Sequence, residues 1–193
     1  ILSFILFMSV CFSAFPQNAK AADDNIVFSI NADKQELQRG DQFKVTVKMS
    51  GNVNGVSLQY FLPFDNEKIT PVGNPELGEV SEGTFSGSNI YEGREIRVTF
   101  VSGTPLKNGT VLTANFQVNE NASVGDIIFT PEILIDNEMA EHISYSSEDN
   151  TSLSITIPAT DISLNKTSTT IAKGGTEKLT ATLKPEDASS VIT

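Results

Sequence analysis

Carboxylates are the most plentiful groups in this chain that could do chemistry, since 24 acidic residues accompany 13 basic ones and a single histidine. Some acids are paired along the sequence: Asp23 with Asp24, Glu132 with Asp136, and Glu148 with Asp149. Glycoside hydrolysis would use such a pair if its two carboxyl groups stood about 5 to 10 Å apart. In a chain this acidic, pairs arise by chance, and we expect no catalytic residue among them.

The histidine, His142, could in principle bind a metal ion or act as a general base. It follows Glu141 in a polar stretch, where a solvated side chain is the simpler interpretation. The sequence shows no metal-ligand spacing, no glycine-rich phosphate loop and no nucleophile elbow around a serine. We therefore expect neither an enzyme nor a resident cofactor.

Two acidic stretches, Asp65-Asn66-Glu67 and Asp136-Asn137-Glu138, crowd oxygen atoms together in the way that calcium ligands do. Neither stretch has the spaced ligands and the central glycine of an EF-hand loop. Solvated turns explain both, so we expect no metal site in this chain.

The acidic side chains and His142 must be positioned by the surrounding elements, and the sequence shows these as short apolar runs separated by Gly, Asn, Asp and Pro. The runs cover residues 26–30, 42–49, 56–62, 95–101, 111–118, 127–129 and 153–157. They have the two-residue period of half-buried strands, and no stretch keeps the 3.6-residue period of an amphipathic helix. Many short strands with regular turns are typical of a β-sandwich or barrel, so we predict an all-β fold.

Residues 1–15 are almost wholly apolar, and small residues follow at Ala19 and Ala21. An apolar segment before small residues indicates a secretory signal, which we predict to be cleaved after residue 21. The apolar run is shorter than the ~20 residues that span a bilayer. The sole cysteine, Cys11, lies inside it, so the mature chain would have no disulfide. We expect a secreted or cell-surface protein without membrane insertion after signal cleavage.

The net charge of −11 excludes two classes of partner. Nucleic acids and anionic membranes both attract clusters of Lys and Arg. A chain with almost twice as many acids as bases repels both polyanions.

The segment that starts Gly55-Val-Ser-Leu-Gln-Tyr-Phe-Leu-Pro-Phe-Asp65 resembles the third strand and following turn of cohesin domains. Other pieces resemble the family in the same order: the Gly40-Asp41 turn in the opening strand pair, a long buried strand at 109–118, its successor at 125–130, and a loop at 136–142 before the last partner-facing strand. The resemblance covers residues 25–157. It implies a jelly-roll β-sandwich that captures dockerin domains without chemistry, with any calcium brought by the dockerin.

The tail resembles a different family. After a linker at residues 158–160, residues 161–193 look like the start of a group 2 bacterial immunoglobulin-like domain, with strands at 162–164 and 178–183 and a Gly174-Gly175 turn. Such a sandwich needs ~100 residues. We therefore expect an incomplete immunoglobulin-like β segment, and a sequence that stops inside a longer protein.

The strand after Gly55 predicts a binding surface because its side chains alternate between two faces. The apolar set points inward: Val56, Leu58, Tyr60 and Leu62. Ser57, Gln59 and Phe61 then point outward, which predicts an exposed Phe61 ring, and Arg97 points outward on the run 95–101. The resemblance implies that Ser57 and Gln59 occupy dockerin-contacting positions, with Gln59 in place of an acid, and that Glu141 retains such an acid. Our predicted partner-binding residues are thus Ser57, Gln59, Phe61, Arg97 and Glu141.

Two other functions stay open at this point. A carbohydrate-binding module would share the architecture and could serve polysaccharide degradation, but a flat sugar-binding face needs a row of exposed aromatic rings. The chain has no Trp and only three Tyr. An adhesin spacer would use the same fold merely to extend reach.

Overall fold

The computed structural model describes residues 26–51, 53–149 and 152–189, and the predicted signal segment and the pair Asp23 with Asp24 lie outside these ranges. The described residues form β-strands and one short 3₁₀ turn, so the all-β prediction is confirmed. Within these ranges no helix has the length and apolar character that a membrane span requires.

The strands follow one another closely along the chain. They are β1 (Ile26–Ala32), β2 (Glu36–Leu37), β3 (Gln42–Ser50), β4 (Ser57–Pro63), β5 (Ile69–Pro71), β6 (Glu76–Leu77), β7 (Phe85–Tyr91), β8 (Glu95–Val101), β9 (Gly109–Val118), β10 (Gly125–Ile127), β11 (Glu132–Asp136), β12 (Tyr145–Asp149), β13 (Leu153–Ile155), β14 (Asp161–Leu164) and β15 (Ala181–Lys184). The 3₁₀ turn is Glu79–Ser81. The predicted run 127–129 is wrong in its bounds, because β10 ends at Ile127.

Three sheets share one core. A six-stranded sheet has the order β12-β1-β3-β9-β5, with β6 also paired to β9, and a four-stranded sheet has the order β11-β4-β8-β7. A three-stranded sheet, β10-β13-β2, adds further buried residues. Because the inward side chains of the two larger sheets form a single apolar cluster, the molecule is a β-sandwich.

The opening strands pair as the sequence suggested. β1 and β3 run antiparallel, with Val27 opposite Ser50 and Ala32 opposite Val45. Their connection contains β2 and a tight turn at Gly40, whose φ of 82° lies in the left-handed region that glycine adopts without strain.

An aromatic cluster joins the layers of the sandwich. Phe116 of β9 is completely buried. Its ring centroid lies 5.6, 5.2 and 5.8 Å from the rings of Phe43, Phe64 and Phe129, respectively. A second contact crosses between the two larger sheets, where the rings of Phe28 and Tyr60 are 5.9 Å apart. Burying each such side chain stabilises the fold by about 1.5–3 kcal/mol.

The register of β4 against β8 is determined by apolar pairs on the inner side. Leu58 faces Phe100, Tyr60 faces Val98, and Leu62 faces Ile96. All six side chains are buried. A slip of one residue would expose the whole set, so the alternation also keeps the odd-numbered residues of both strands outside. The predicted inward and outward sets of β4 are confirmed, with Val56 half-buried just before the strand.

The long strand β9 contains a β-bulge. The register with β3 shifts between Val47 and Lys48, and the consecutive residues Val111 and Leu112 are both fully buried. The 3₁₀ turn packs here, and the backbone N–H of Thr110 donates to Glu79 Oε2 at 2.6 Å. Hydrogen bonds from the backbone N–H of Glu79 itself and from that of Thr110 lower the pKa of the Glu79 carboxyl.

Gly78 is expected to be the least replaceable glycine near this bulge. A Cβ at Gly78 would lie 2.4 Å from both the Cβ and the carbonyl oxygen of Thr110. Because that oxygen cannot move without distorting β9, Gly78→Ala should lower the free energy of unfolding by about 1–3 kcal/mol. Gly103→Ala is the control, since its Cβ would meet no atom within 4 Å. Urea denaturation measures both variants, and equal midpoints would contradict this account.

The tail forms an antiparallel hairpin of β14 and β15. The predicted strand 178–183 is wrong at its start, because β15 begins at Ala181. Gly174 has a φ of 84°, and the backbone N–H of Gly175 donates to the Ala172 carbonyl at 2.8 Å, as a turn requires. Ile162 and Leu164 of β14 are about half exposed, so this hairpin has no apolar core of its own.

Contacts made by Asp187 and Ser189 connect the tail to the sandwich. The Arg39 guanidinium forms an ion pair with Asp187 at 2.6 Å and also donates to the Ala122 carbonyl at 2.9 Å. The backbone N–H of Ser189 donates to the Ile157 carbonyl at 2.7 Å. The tail therefore returns to the end of the sandwich where the last core residues lie.

Candidate functional site

The outward side chains of the four-stranded sheet form a continuous surface, which we call the outer face. It consists of Glu132, Leu134 and Asp136 on β11, Ser57, Gln59 and Phe61 on β4, Glu95, Arg97, Thr99 and Val101 on β8, and Phe85, Asn89 and Tyr91 on β7. Strand pairing aligns these residues in rows across the sheet. Four predicted partner-binding residues thus lie on one surface: Ser57, Gln59, Phe61 and Arg97.

The outer face exposes apolar side chains that the sequence did not reveal. Phe85 is 88% exposed, Val101 50% and Leu134 40%. Phe85 and Val101 are direct cross-strand neighbours, and Leu134 lies beside Gln59. Exposed apolar groups that gather on one sheet face mark a surface that contacts another molecule.

The opposite side of the sandwich has a different character. Outward residues of β3 and β9 are polar throughout: Gln42, Lys44, Thr46, Lys48, Ser50, Thr113, Asn115 and Gln117. These side chains suit an ordinary hydrated sheet surface. The contrast selects the outer face as the candidate interaction surface.

The local sequence explains why Leu134, Val101 and Phe85 were not predicted to lie on the outer face. Leu134 stands between Ile133 and Ile135, so no alternation is visible in β11. Val101 follows buried Phe100, which makes the end of β8 look uniformly apolar. β7 begins Phe85-Ser-Gly-Ser-Asn89, which is typical of a loop.

Arg97 is held between two aromatic rings on the outer face. Its guanidinium carbon lies 3.5 Å from the ring centroid of Tyr91 and 5.7 Å from that of Phe61. Its Nε donates to Glu95 Oε1. Phe61 is consequently half-buried, which corrects the expectation of an exposed ring. Since Arg97 lies over two of the rings, Phe85 is the open aromatic ring of this face, and no row of rings is available for sugar stacking.

Ser57, Asp136 and His142 form a hydrogen-bonded chain at the edge of the outer face. Ser57 Oγ donates to Asp136 Oδ2 at 3.2 Å, and His142 Nδ1 lies 2.5 Å from Asp136 Oδ1. In a hydrolytic triad the histidine stands between the serine and the acid, so that it can take the hydroxyl proton. Here the acid stands in the middle, so the arrangement leaves Ser57 without a general base.

The loop after β11 presents Glu141. Asn137 Oδ1 accepts the backbone N–H groups of Met139 and Glu141 at 2.9 and 3.0 Å, and Asn137 Nδ2 donates to Glu141 Oε2 at 3.0 Å. These bonds hold an exposed carboxylate beside the edge of the outer face. We expected this loop to come before the last strand of the partner-facing sheet, and that order was wrong. The loop follows β11, which is the last strand along the chain to join this sheet, and the next strand, β12, pairs with β1 in the other sheet.

The structure separates Glu132 from Asp136 and uses Asp65 within its own turn. Glu132 and Asp136 lie on the same side of β11 four residues apart, which places them about 13 Å apart at ~3.3 Å per residue, beyond the range for glycoside hydrolysis. Asp65 Oδ1 accepts the backbone N–H of Glu67 at 3.0 Å and so serves its own turn. Among the described residues no three His, Cys, Asp or Glu side chains gather as metal ligands would.

Known proteins share this fold. A non-cellulosomal cohesin from the hyperthermophilic archaeon Archaeoglobus fulgidus matches with a TM-score of 0.55 and 16% identity, covering 69% of this chain and 92% of that chain. A type II cohesin–X-dockerin complex from Acetivibrio cellulolyticus matches with a TM-score of 0.53 and 16% identity, covering 65% of this chain and 96% of that chain. The predicted jelly-roll β-sandwich is confirmed.

A third match is a type I cohesin–dockerin complex from Clostridium thermocellum, with a TM-score of 0.51 and 18% identity, covering 68% of this chain and 94% of that chain. No curated protein sequence matches. The family model described as the cohesin domain matches residues 26–157. By this match the chain belongs to the cohesin domain family, whose members are non-catalytic protein–protein interaction modules, and the expectation that it is not an enzyme is confirmed.

Proposed function

We propose that this chain is a scaffolding module that docks a dockerin domain through the outer face. The observation that carries the proposal is the group of exposed apolar side chains on that face, Phe85, Val101 and Leu134, set against the polar outward residues of β3 and β9. Two of the similar structures are complexes of a cohesin with a dockerin, which supports a partner of that kind.

The arrangement of the face suits a protein partner of ordinary size. Stable interfaces bury about 800 Å² on each partner and combine apolar contacts with hydrogen bonds. Here Val101 and Phe85 lie together, while Gln59 and Thr99 separate them from Leu134. Ser57 and Gln59 supply polar contacts in the same rows, and Glu141 lies at the rim.

Affinity capture with the full chain tests the partner class. Immobilised protein is incubated with the secreted proteins of the source organism, with calcium and with a chelator, and the retained proteins are identified by mass spectrometry. Retention of a dockerin-bearing protein, confirmed by calorimetric titration with the purified dockerin, supports the proposal. Retention of proteins without dockerins, or binding only to insoluble polysaccharide, contradicts it.

Glu141→Lys should weaken binding of the captured dockerin about 5- to 10-fold, because a charge reversal at an interface rim disturbs electrostatic complementarity. The substitution should leave the unfolding midpoint unchanged, since the Glu141 side chain is exposed. Glu67→Lys is the control, because it makes the same charge change in an exposed turn outside the outer face. Equal weakening by both variants would remove Glu141 from the site and indicate a net-charge effect.

Three further statements accompany the proposal. The apolar residues 1–15 support secretion, and N-terminal sequencing of the secreted protein should then begin at residue 22. A similar structure is a type II cohesin from the cellulosome of Acetivibrio cellulolyticus, which supports a setting in polysaccharide degradation.

The hairpin of β14 and β15, with its half-exposed Ile162 and Leu164, supports an immunoglobulin-like segment at residues 161–193, after a domain at 25–157 and a linker at 158–160.

A further inference from the structure

Arg97 is the basic residue of the outer face as defined above, and it is held in one orientation. The Tyr91 ring lies against the guanidinium at 3.5 Å, and the Phe61 ring lies at 5.7 Å on the neighbouring strand. Contact with the face of an aromatic ring stabilises a cation and limits the conformations of the side chain. Arg97 is 36% exposed, so part of this oriented group still faces solvent.

The guanidinium retains unused hydrogen-bond donors. It has five N–H groups, and its Nε uses one of them on Glu95 Oε1. Among the described residues neither Nη atom donates a hydrogen bond, so four N–H groups remain available. The paired donors of a guanidinium match the two oxygens of a carboxylate.

We propose that Arg97 determines the charge specificity of the outer face, and that the docking partner places an Asp or Glu side chain over its two Nη atoms. This inference rests on the proposed docking function. Glu95 balances the charge of Arg97 in the free protein through Nε, which leaves the Nη groups for the partner. Because Asp136, Glu132 and Glu141 lie along the β11 edge, an acid on the partner can be accepted at Arg97 and is repelled at that edge.

A protein carboxylate fits this surface better than an acidic polysaccharide. The chain carries a net charge of −11, which repels a polyanion at long range. The neighbouring Phe85 and Val101 side chains require apolar groups from the partner, which a uronate polymer lacks. A folded protein surface supplies one carboxylate and apolar side chains together.

Calorimetric titration of the full chain with the captured dockerin tests the inference. Arg97→Gln should weaken binding about 10- to 100-fold, because hydrogen bonds to charged groups have effects of this size. Arg97→Lys should recover only part of the affinity, since an ammonium group lacks the paired donors of a guanidinium. Arg94→Gln is the control, because Arg94 is 65% exposed in the turn after β7. Unfolding curves should show that every variant is folded at the temperature of the titration.

Charge reversal identifies the partner group. Each surface Asp or Glu of the dockerin is changed to Lys in turn, and one of these variants should bind Arg97→Glu better than it binds the wild type. If the dockerin binds but Arg97→Gln is neutral, or no acid couples to Arg97, the inference fails while docking stands. Loss of polygalacturonate binding in Arg97→Gln would instead assign the site to a polysaccharide and overturn the inference.

A second experiment does not require a natural dockerin. It selects small helical-bundle proteins that bind this chain from a library displayed on phage or yeast. Binders are selected on the wild type with counter-selection on Val101→Asp, which directs them to the outer face. Selected binders should carry an acid whose amide replacement weakens binding to the wild type but not to Arg97→Gln. Binders without such an acid would overturn the inference. If no dockerin is captured yet the selected binders show this coupling, Arg97 accepts an acid from a protein ligand, but its role toward a dockerin fails together with the docking function.

Discussion

Phe116→Ala should lower the free energy of unfolding by about 3–5 kcal/mol, the range found when a buried aromatic ring is removed from a core. Phe116 is completely buried, and its ring contacts those of Phe43, Phe64 and Phe129. The loss comprises the transfer free energy of the ring and the cavity left among three aromatic neighbours. A domain with a total stability of about 5–15 kcal/mol would lose a large part of it.

Phe85→Ala provides the matched control, because it removes the same atoms from a residue that is 88% exposed. Its unfolding free energy should change by less than about 0.5 kcal/mol. Urea denaturation followed by far-ultraviolet circular dichroism measures both variants. If Phe85→Ala were as destabilising as Phe116→Ala, the outer face would be part of a core, and its role as an interaction surface would be untenable.

Val101→Asp should weaken dockerin binding about 30-fold or more, because an unpaired carboxylate would be buried against the partner's apolar groups. Val101 is 50% exposed in the free protein, so a carboxylate there remains hydrated and folding is retained. Its cross-strand neighbours are Ser57 and Phe85, which places the new charge inside the outer face. Calorimetric titration with the captured dockerin measures the change.

Val27→Asp is the matched control for this substitution. Val27 is half-buried on β1 in the six-stranded sheet, opposite Ser50 and beside Ser146. Provided that its unfolding midpoint shows a folded protein, it should bind the dockerin with wild-type affinity. A larger loss of binding in Val27→Asp than in Val101→Asp would move the interface to the other side of the sandwich.

Much of the outer face could be predicted from local patterns. Side chains of a strand alternate, so apolar Leu58, Tyr60 and Leu62 required their neighbours in β4 to point outward. The same reasoning placed Arg97 outside on β8. It failed for β11, because Ile133, Leu134 and Ile135 are all apolar and the strand shows no alternation of apolar and polar residues.

Residue composition also misled in one place. β7 contains Ser, Gly and Asn, which favour turns, and its pairing with β8 overrides that local preference. The sequence therefore did not predict that Phe85 belongs to the outer face. Glu141 was located beside the face by resemblance, but the position of its loop after β11 was not anticipated.

By itself the sequence determined the all-β fold and the facing of residues in its clearly alternating strands, because a two-residue period is a local property of the backbone. Tertiary structure decided which strands lie side by side, since pairing joins residues that are distant in sequence. β4 lies between β11 and β8, and this placement brings Leu134 beside Gln59 and Phe61 beside Arg97. The guanidinium held between Phe61 and Tyr91 exists only because three strands meet there.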